Sequence, residues 1–488
     1  MVIESLKYKI LQQFGFAPTQ EQGQALDTFV SFLTDRDPQA VMILRGSAGT
    51  GKTSLSGAIV RTLLQIRQKV MLLAPTGRAA KVFSLGSGAP AYTIHRRIYR
   101  EKAFAGVDGQ FSLNDNLYTD TLFMVDEASM IANMGLGGTT FGSGCLLDDL
   151  VKFVYQGHND RLLLIGDKAQ LPPVGEEESP ALSASVMEGY GLKVYECDLN
   201  EVLRQSQSSG ILYNATLIRQ MITHDAVTGL PLIRFKGFAD IVMMPGAELV
   251  ESLGDSYHHV GMDETMVITR SNKRANIYNN GIRNMVLDRE EELSSGDMLM
   301  IVKNNYFWTE KEKKESGEGS ASAVPAFLAN GDRAKVLRVS NYIELYGFRF
   351  ATLLLQLPDY DDYEMQVTGM LDTLQSEAPA LTHEQQEELF RQVEEDYQHF
   401  VPLKADRMKS IRQDAYFNAL QIKYAYAVTC HKAQGGQWAH VYVDQGYMTD
   451  DMLTPDYIHW LYTAFTRATD KLFLVNWPKE QTCEPTDL

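Results

Sequence analysis

The chain's 488 residues exceed what one hydrophobic core supports, so two or more domains are expected. Apolar residues make up an ordinary 44%, and no apolar run nears the roughly 20 residues that cross a bilayer, which excludes a helical membrane span. The net charge of −17 looks wrong for a nucleic-acid partner, but residues 359–398 hold 12 acidic residues and one basic one, and the rest of the chain carries only −6. A basic channel elsewhere stays open, so charge neither supports nor excludes DNA. The stretch Met1 to Phe16 lacks the apolar core and cleavage site of a signal peptide. Cys145, Cys197, Cys430 and Cys483 form neither a metal-ligand spacing nor a disulfide framework, and a reducing, cytoplasmic setting is expected.

Residues 1–40 read as amphipathic helix. Within them Gln22 offers an amide that can pair with N6 and N7 of adenine; a solvated helix start is the alternative. Val41 to Leu44 reads as a buried strand, followed by Gly46, Ser47, Ala48, Gly49, Thr50, Gly51, Lys52 and Thr53 and then a helical stretch. That strand–loop–helix order is what a phosphate-binding P-loop requires. Glycines let successive N–H groups turn toward a polyphosphate, and the helix N-terminus adds partial positive charge. Lys52 is expected on the β- and γ-phosphates, and the Thr53 hydroxyl on Mg²⁺.

A second strand, Lys69 to Leu73, runs into Pro75, Thr76, Gly77, Arg78 and Lys81, and Thr93 and His95 follow. These are candidate nucleic-acid backbone contacts, or else a capped helix start and a solvated basic turn. A hairpin is predicted between Ile98–Phe104 and Phe111–Leu117, with Val107 to Gln110 as its turn. Thr121 to Val125 is an apolar strand ending in Asp126 and Glu127. One such acid can hold Mg²⁺ and the next can polarise the attacking water, the two tasks of γ-phosphate hydrolysis. The glycine-rich 135–145 lacks phosphate-loop spacing and reads as a mobile loop. Arg161 to Gly166 is another buried strand, and Asp167 and Gln170 behind it are candidate γ-phosphate sensors. Arg204, just after an expected helix-to-loop transition, is a candidate for stabilising charge on a transferred phosphoryl.

A second α/β block is expected from about residue 206. It includes a strand at 264–269, a disordered loop at 309–322, and a turn at Asn330-Gly331 entering short strands to about Leu357. The acidic 359–400 segment reads as a solvated insertion, helical in its second half. Ile422 to Thr429 reads as one strand running into His431 and Lys432. Ala439 to Asp444 and Lys471 to Val475 are the last strands, and Arg467 between them is a second arginine candidate, reaching the triphosphate from the second block.

Together, GSAGTGKT, APTGRAAK, TIH, VDEAS, GDKAQLPPV, LRQ, VTCHKAQG and YTAFTRA resemble the motifs of superfamily 1 helicases, in that family's order along nearly the whole chain. GDxxQLPPV, HKAQG and YTAxTRA are similar to the RecD/Dda-like branch, superfamily 1B. The resemblance implies an α/β fold of two RecA-like parallel-sheet P-loop motor domains, with a β-hairpin insertion (1B) and an SH3-like β insertion (2B). Domain 1A is then expected at 1–86 and 120–205, the pin at 87–119, domain 2A at 206–308 and 415–488, and 2B with the acidic segment at 309–414. It also implies ATP-driven 5′→3′ movement on single-stranded DNA and at single-strand/duplex junctions by a monomeric motor, with recombination or repair proteins as candidate partners.

Carried over by motif, Gln22 reads adenine, Lys52 and Thr53 serve phosphate and Mg²⁺, and Asp126 and Glu127 are metal acid and base. Gln170 senses the γ-phosphate, and Arg204 and Arg467 are arginine fingers. Pro75, Thr76, Arg78, Thr93, His95, Thr429, His431 and Lys432 line the DNA path. The acidic segment and the loop at 135–145 match no family motif. An ATP-dependent DNA-binding subunit without autonomous unwinding, and a P-loop kinase indifferent to DNA, are the competing readings.

Overall fold

The computed structural model describes residues 2–105, 108–135, 142–202, 208–223, 229–316, 324–325, 327–449 and 452–483. The chain forms two compact units, one of residues 1–244 and 433–488 and one of residues 245–432.

The first unit is built on β1 (Ala40–Gly46), β2 (Lys69–Ala74), β3 (Ala91–Thr93), β6 (Thr121–Val125), β7 (Arg161–Gly166) and β8 (Lys193–Leu199), with β4 (Tyr99–Ala105) and β5 (Asp108–Leu113) apart from them. The six form one sheet in the order β3-β2-β6-β7-β1-β8, and every neighbouring pair is parallel. All residues of β1, β6 and β7 are buried, as a strand covered on both faces must be. The period of two along β1 feeds two cores: Met42 and Leu44 pack with the helices Val2–Phe14, Gln20–Thr34 and Lys52–Gln65, whereas Val41 and Ile43 pack with Leu147, Leu150 and Val154. The expected single N-terminal helix is two helices, broken at Gly15, whose φ of 76° is left-handed, and restarted by the Thr19 capping box.

The predicted hairpin exists, but Asp108 to Gln110 of the expected turn are strand, and Val107 lies outside the described residues. Ala105 pairs with Asp108 and Phe104 with Gly109, so Asp108 and Gly109 are strand residues. Its base sets the register: Tyr99 pairs with Leu113, and Phe111 and Leu113 pack on the core around Ile94 and Ile98. Most of the glycine-rich 135–145 loop lies outside the described residues. So does Arg204, and what precedes its segment is β8, a strand rather than the expected helix. The helix Gly210–Thr223 and β9 (Ile241–Met244) remain in the first unit, which is why its edge does not coincide with the boundary expected at 205.

In the second unit, β10 (Thr265–Thr269) pairs in parallel with β16 (Ala427–Thr429). Between them β11 (Met298–Ile301), β12 (Arg333–Leu345), β13 (Phe348–Leu357), β14 (Tyr363–Met370) and β15 (Leu420–Tyr424) close into a barrel. Four expectations change here. The stretch expected to be a disordered loop begins as the helix Phe307–Ser316, and residues 317–323 lie outside the described residues. The strands after Gly331 are long: β12 has 13 residues and β13 has 10. The first half of the acidic segment is β14, a barrel strand that buries Met365 and Val367 and exposes Glu364 and Gln366. The single strand expected at 422–429 is two, since β15 belongs to the barrel and β16 to the parallel pair. The helix His383–Gln398 is as expected in place, capped by Thr382 and Gln385. It is not solvated all round: Leu389 and Val393 pack with Phe350 and Met370.

The chain returns to the first unit with β17 (Trp438–Asp444), the helix Pro455–Phe465 and β18 (Ala468–Val475). β17, β18 and β9 pair in parallel.

Candidate nucleotide and nucleic-acid site

The P-loop leaves the buried end of β1 and re-enters the fold as the helix Lys52–Gln65. Gly49 and Gly51 have φ of 77° and 80°, and a Cβ on Gly46 would sit 2.8 Å from Lys52 Cγ, so these glycines are required by the turn and by the lysine folding back over it. Lys52 Nζ donates to the Gly46 carbonyl and, at 3.3 Å, to the Ser47 carbonyl. Thr50 Oγ1 donates to Ser47 O at 2.8 Å, closing the loop on itself, and Thr53 is exposed at the helix start.

Gln22 is 1% exposed. Its Oε1 accepts from the Thr19 N–H at 3.0 Å and its Nε2 donates to Thr50 O at 2.9 Å. Both ends of the amide expected to meet adenine are thus bonded within the protein, and the side chain braces the P-loop.

Asp126 and Glu127 follow β6. Glu127 has φ of 53°, a conformation that costs a non-glycine residue and turns its side chain out of the strand direction. The Asp126 carboxyl is pushed above the usual carboxylate range, by burial first and then by the Glu127 charge, while the Glu127 N–H and Lys52 oppose the shift. Two acids crowded beside a lysine in a half-buried site suit a cation, so Asp126, with the Thr53 hydroxyl, fits the donor set of a hard divalent ion.

Gln170 and Arg467 complete the array. The Gln170 amide is oriented with nitrogen toward Glu127 and oxygen toward Arg467, because the reverse would oppose like groups. Nε2 then donates to Glu127 Oε2 at 3.3 Å, and Oε1 accepts from Arg467 Nη2 at 3.3 Å. Arg467 is 3% exposed; its Nε donates to Thr463 O at 3.1 Å and its Nη1 to Gly436 O at 3.2 Å. Carboxylate, amide and guanidinium therefore form one chain. Arg467, expected to come from a second block, lies in the compact unit of the P-loop.

Arg219 escapes the sequence reading. It lies mid-helix with no motif around it, yet its guanidinium donates to Ser47 Oγ and, at 3.1 Å, to Asn200 Oδ1. Only the fold brings it to the P-loop.

The expected nucleic-acid residues divide between the two units. In the first, Thr76, after Pro75, caps the helix Gly77–Ser87 by accepting the Ala79 N–H, and Thr93 caps Ile94–Ile98 in the same way. Arg78 donates to Gln437 O at 2.7 Å and lies 4.6 Å from the Trp438 ring centroid. The His95 ring is 5.6 Å from that of Tyr99, and burial holds its imidazole down at about 4, hence neutral. In the second unit Thr429 ends β16 and His431 is exposed. Lys432 donates to Asn330 Oδ1, and burial, then Lys423, bring its ammonium down to about 8.

An AAA domain model matches residues 17–229, and a UvrD-like helicase C-terminal domain model matches residues 424–475. The chain is 30% identical over 157 residues to the ATP-dependent RecD2 DNA helicase of Deinococcus radiodurans, covering 32% of this chain and 18% of that one. It is 25% identical over 267 residues to the ATP-dependent DNA helicase dda of Enterobacteria phage T4, covering 53% and 55%. An uncharacterised mimivirus protein, R530 of Acanthamoeba polyphaga mimivirus, is 22% identical across 90% of this chain and 96% of its own length. The chain thus spans under a fifth of RecD2 and about half of dda. The solved structure of Pif1 helicase from Bacteroides with ADP-AlF3 and ssDNA overlays at 13% identity and a TM-score of 0.46, covering 96% of this chain and 95% of that one.

Proposed function

We infer that this chain, a RecD/Dda-like member of helicase superfamily 1B, hydrolyses ATP to move along single-stranded DNA and separate duplex ahead of it. The observation that carries the reading is the Glu127–Gln170–Arg467 chain beside the P-loop. It supports a reading in which Glu127 is the base, Gln170 the sensor and Arg467 the cation around a γ-phosphate held by Lys52.

Backbone N–H groups of Ser47 to Thr53 cradle the phosphates, and Lys52 carries the β/γ charge. Thr53 and Asp126 would hold Mg²⁺, which when bound offsets phosphate charge. Glu127 orients water and takes its proton as oxygen attacks the γ-phosphorus and the bond to ADP breaks. Arg467 offsets the charge that develops on the γ-oxygens, and Arg204 is assigned the same role. Gln22 braces the P-loop and, by resemblance, reads adenine through the amide hydrogen and the oxygen lone pair that its two internal bonds leave over. Gln170, bonded to both base and cation, registers whether the γ-phosphate is present. Loss of that phosphate removes a contact shared by Lys52, Gln170 and Arg467, and this change drives the step.

Pro75, Thr76, Arg78, Thr93, His95, Thr429, His431 and Lys432 are the proposed strand contacts, the β4–β5 ribbon the duplex-separating pin, and the β11–β15 barrel the SH3-like insertion. Polarity is 5′→3′, by resemblance. Unwinding of a duplex with a 5′ single-stranded overhang, set against one with a 3′ overhang, tests this. Strand release from the 5′ substrate alone is expected. DNA-stimulated ATP turnover with release from neither would instead favour a DNA-binding subunit.

A further inference from the structure

We propose that Tyr462 is a positioning residue whose hydroxyl locks the P-loop to the segment that senses the γ-phosphate. The inference rests on the nucleotide site proposed above. Tyr462 lies on the last turn of the helix Pro455–Phe465 and is 1% exposed. Its hydroxyl donates to Asp167 Oδ2 at 2.6 Å and accepts the Ala48 N–H at 3.0 Å. One buried oxygen therefore joins the P-loop, the strand end after β7 and the helix that leads into Arg467.

Three other hydrogen bonds from the C-terminal segment show what is special about that oxygen. The Leu171 N–H donates to Thr463 Oγ1 at 2.8 Å, His459 Nδ1 lies 2.9 Å from Ala169 O, and Gln434 Nε2 donates to Leu171 O at 2.7 Å. Those three fasten residues 169–171 to the C-terminal segment whether or not residue 462 carries a hydroxyl. Of the four, only Tyr462 continues to the P-loop. Arg467 Nε is held by Thr463 O, one residue from Tyr462, so the hydroxyl fixes where the guanidinium stands relative to the Ser47–Ala48 peptide. Asp167 is 3% exposed, and its other oxygen already accepts the Ala169 N–H at 3.0 Å, which leaves the tyrosine to satisfy Oδ2. Without the hydroxyl, no hydrogen bond among the described residues leads from residues 46–53 to Asp167, Gln170 or Arg467. A displacement of about 1 Å between such groups is enough to slow a reaction by about 10²-fold.

Tyr462→Phe in the full chain is the test, because it removes one oxygen and keeps the ring in its cavity. The expected result is a fall in kcat for ATP of about 10- to 100-fold with KM changed by less than about 3-fold. Hydrogen exchange at residues 44–53 is expected to quicken while the β11–β15 barrel is unaffected. Combined with Asp167→Asn, the effects on kcat are expected to be non-multiplicative, because both changes break one linkage. Unchanged kcat and unchanged P-loop exchange in Tyr462→Phe would overturn the proposal, as would multiplicative effects in the double variant. If the wild-type chain turned over no ATP, the proposed function would fall, and the exchange measurement would still decide the role of Tyr462.

Discussion

Replacing Arg467 with alanine removes a guanidinium that is 3% exposed and serves Thr463 O, Gly436 O and the Gln170 amide. Two effects follow, and they separate by magnitude. The carbonyls of Thr463 and Gly436 lose a donor in a buried setting; at about 1–2 kcal/mol each, stability falls by about 2–4 kcal/mol. The chemical effect is larger. An arginine that meets a transferring phosphoryl contributes about 10³-fold or more to kcat, which is about 4 kcal/mol of barrier. Arg467→Lys keeps one charge but not the planar fork, so it should restore part of the stability and little of the rate. The assay is steady-state ATP turnover at saturating single-stranded DNA, with thermal melting and binding of a fluorescent ADP analogue run on the same preparations. The expected pattern is a folded Arg467→Ala protein that binds the analogue and turns over at least about 10³-fold more slowly. A folded variant within about 10-fold of wild-type kcat would refute the assignment, since burial alone cannot supply a chemical role.

Lys52→Ala should abolish hydrolysis, and substantial residual turnover in a folded protein would contradict the P-loop assignment. Gly436→Ala places a Cβ 2.5 Å from the Trp438 ring; overpacking there should cost about 1–3 kcal/mol in denaturant melts, and an unchanged midpoint would show that the ring yields freely. Asp332 sits wholly buried beneath the turn into β12, where burial first, and then Asp359, push its carboxyl up to about 7 despite the Tyr360 hydroxyl and the Ala329 N–H. Its folded value lies above the unfolded one, so its contribution to stability is present in acid and is lost as pH rises through about 7. Asp332→Asn should therefore melt increasingly higher than wild type as pH is raised toward about 8; a difference independent of pH would exclude this carboxyl as the cause.

The P-loop and the strands around it were legible because chemistry and burial both constrain them. A phosphate loop needs glycines at fixed steps, and β1, β6 and β7, buried on both faces, carry apolar runs at 40–44, 122–125 and 162–165. The hairpin was legible as a hairpin, but Asp108-Gly109 read as its turn, whereas both are strand residues. Its register is set instead by Tyr99, Phe111 and Leu113 against a core formed by other segments. Strand β14 was hidden by composition: the acids of its segment mask the alternation of Met365 and Val367 with Glu364 and Gln366. The break between β15 and β16 left no mark because Ala425 and Tyr426 are themselves buried and continue the apolar run. Long-range partners were beyond reach. Nothing local indicates that Arg219 meets Ser47, or that both ends of the Gln22 amide are taken up inside the fold.

The most direct test of the central claim is the ATP turnover rate of the purified chain, measured alone, with single-stranded DNA and with single-stranded RNA. The account predicts slow turnover alone and a many-fold rise with DNA that disappears in Lys52→Ala. A rate that is the same with and without either nucleic acid would contradict it, leaving a phosphate-binding enzyme whose fuel drives something other than movement along a strand.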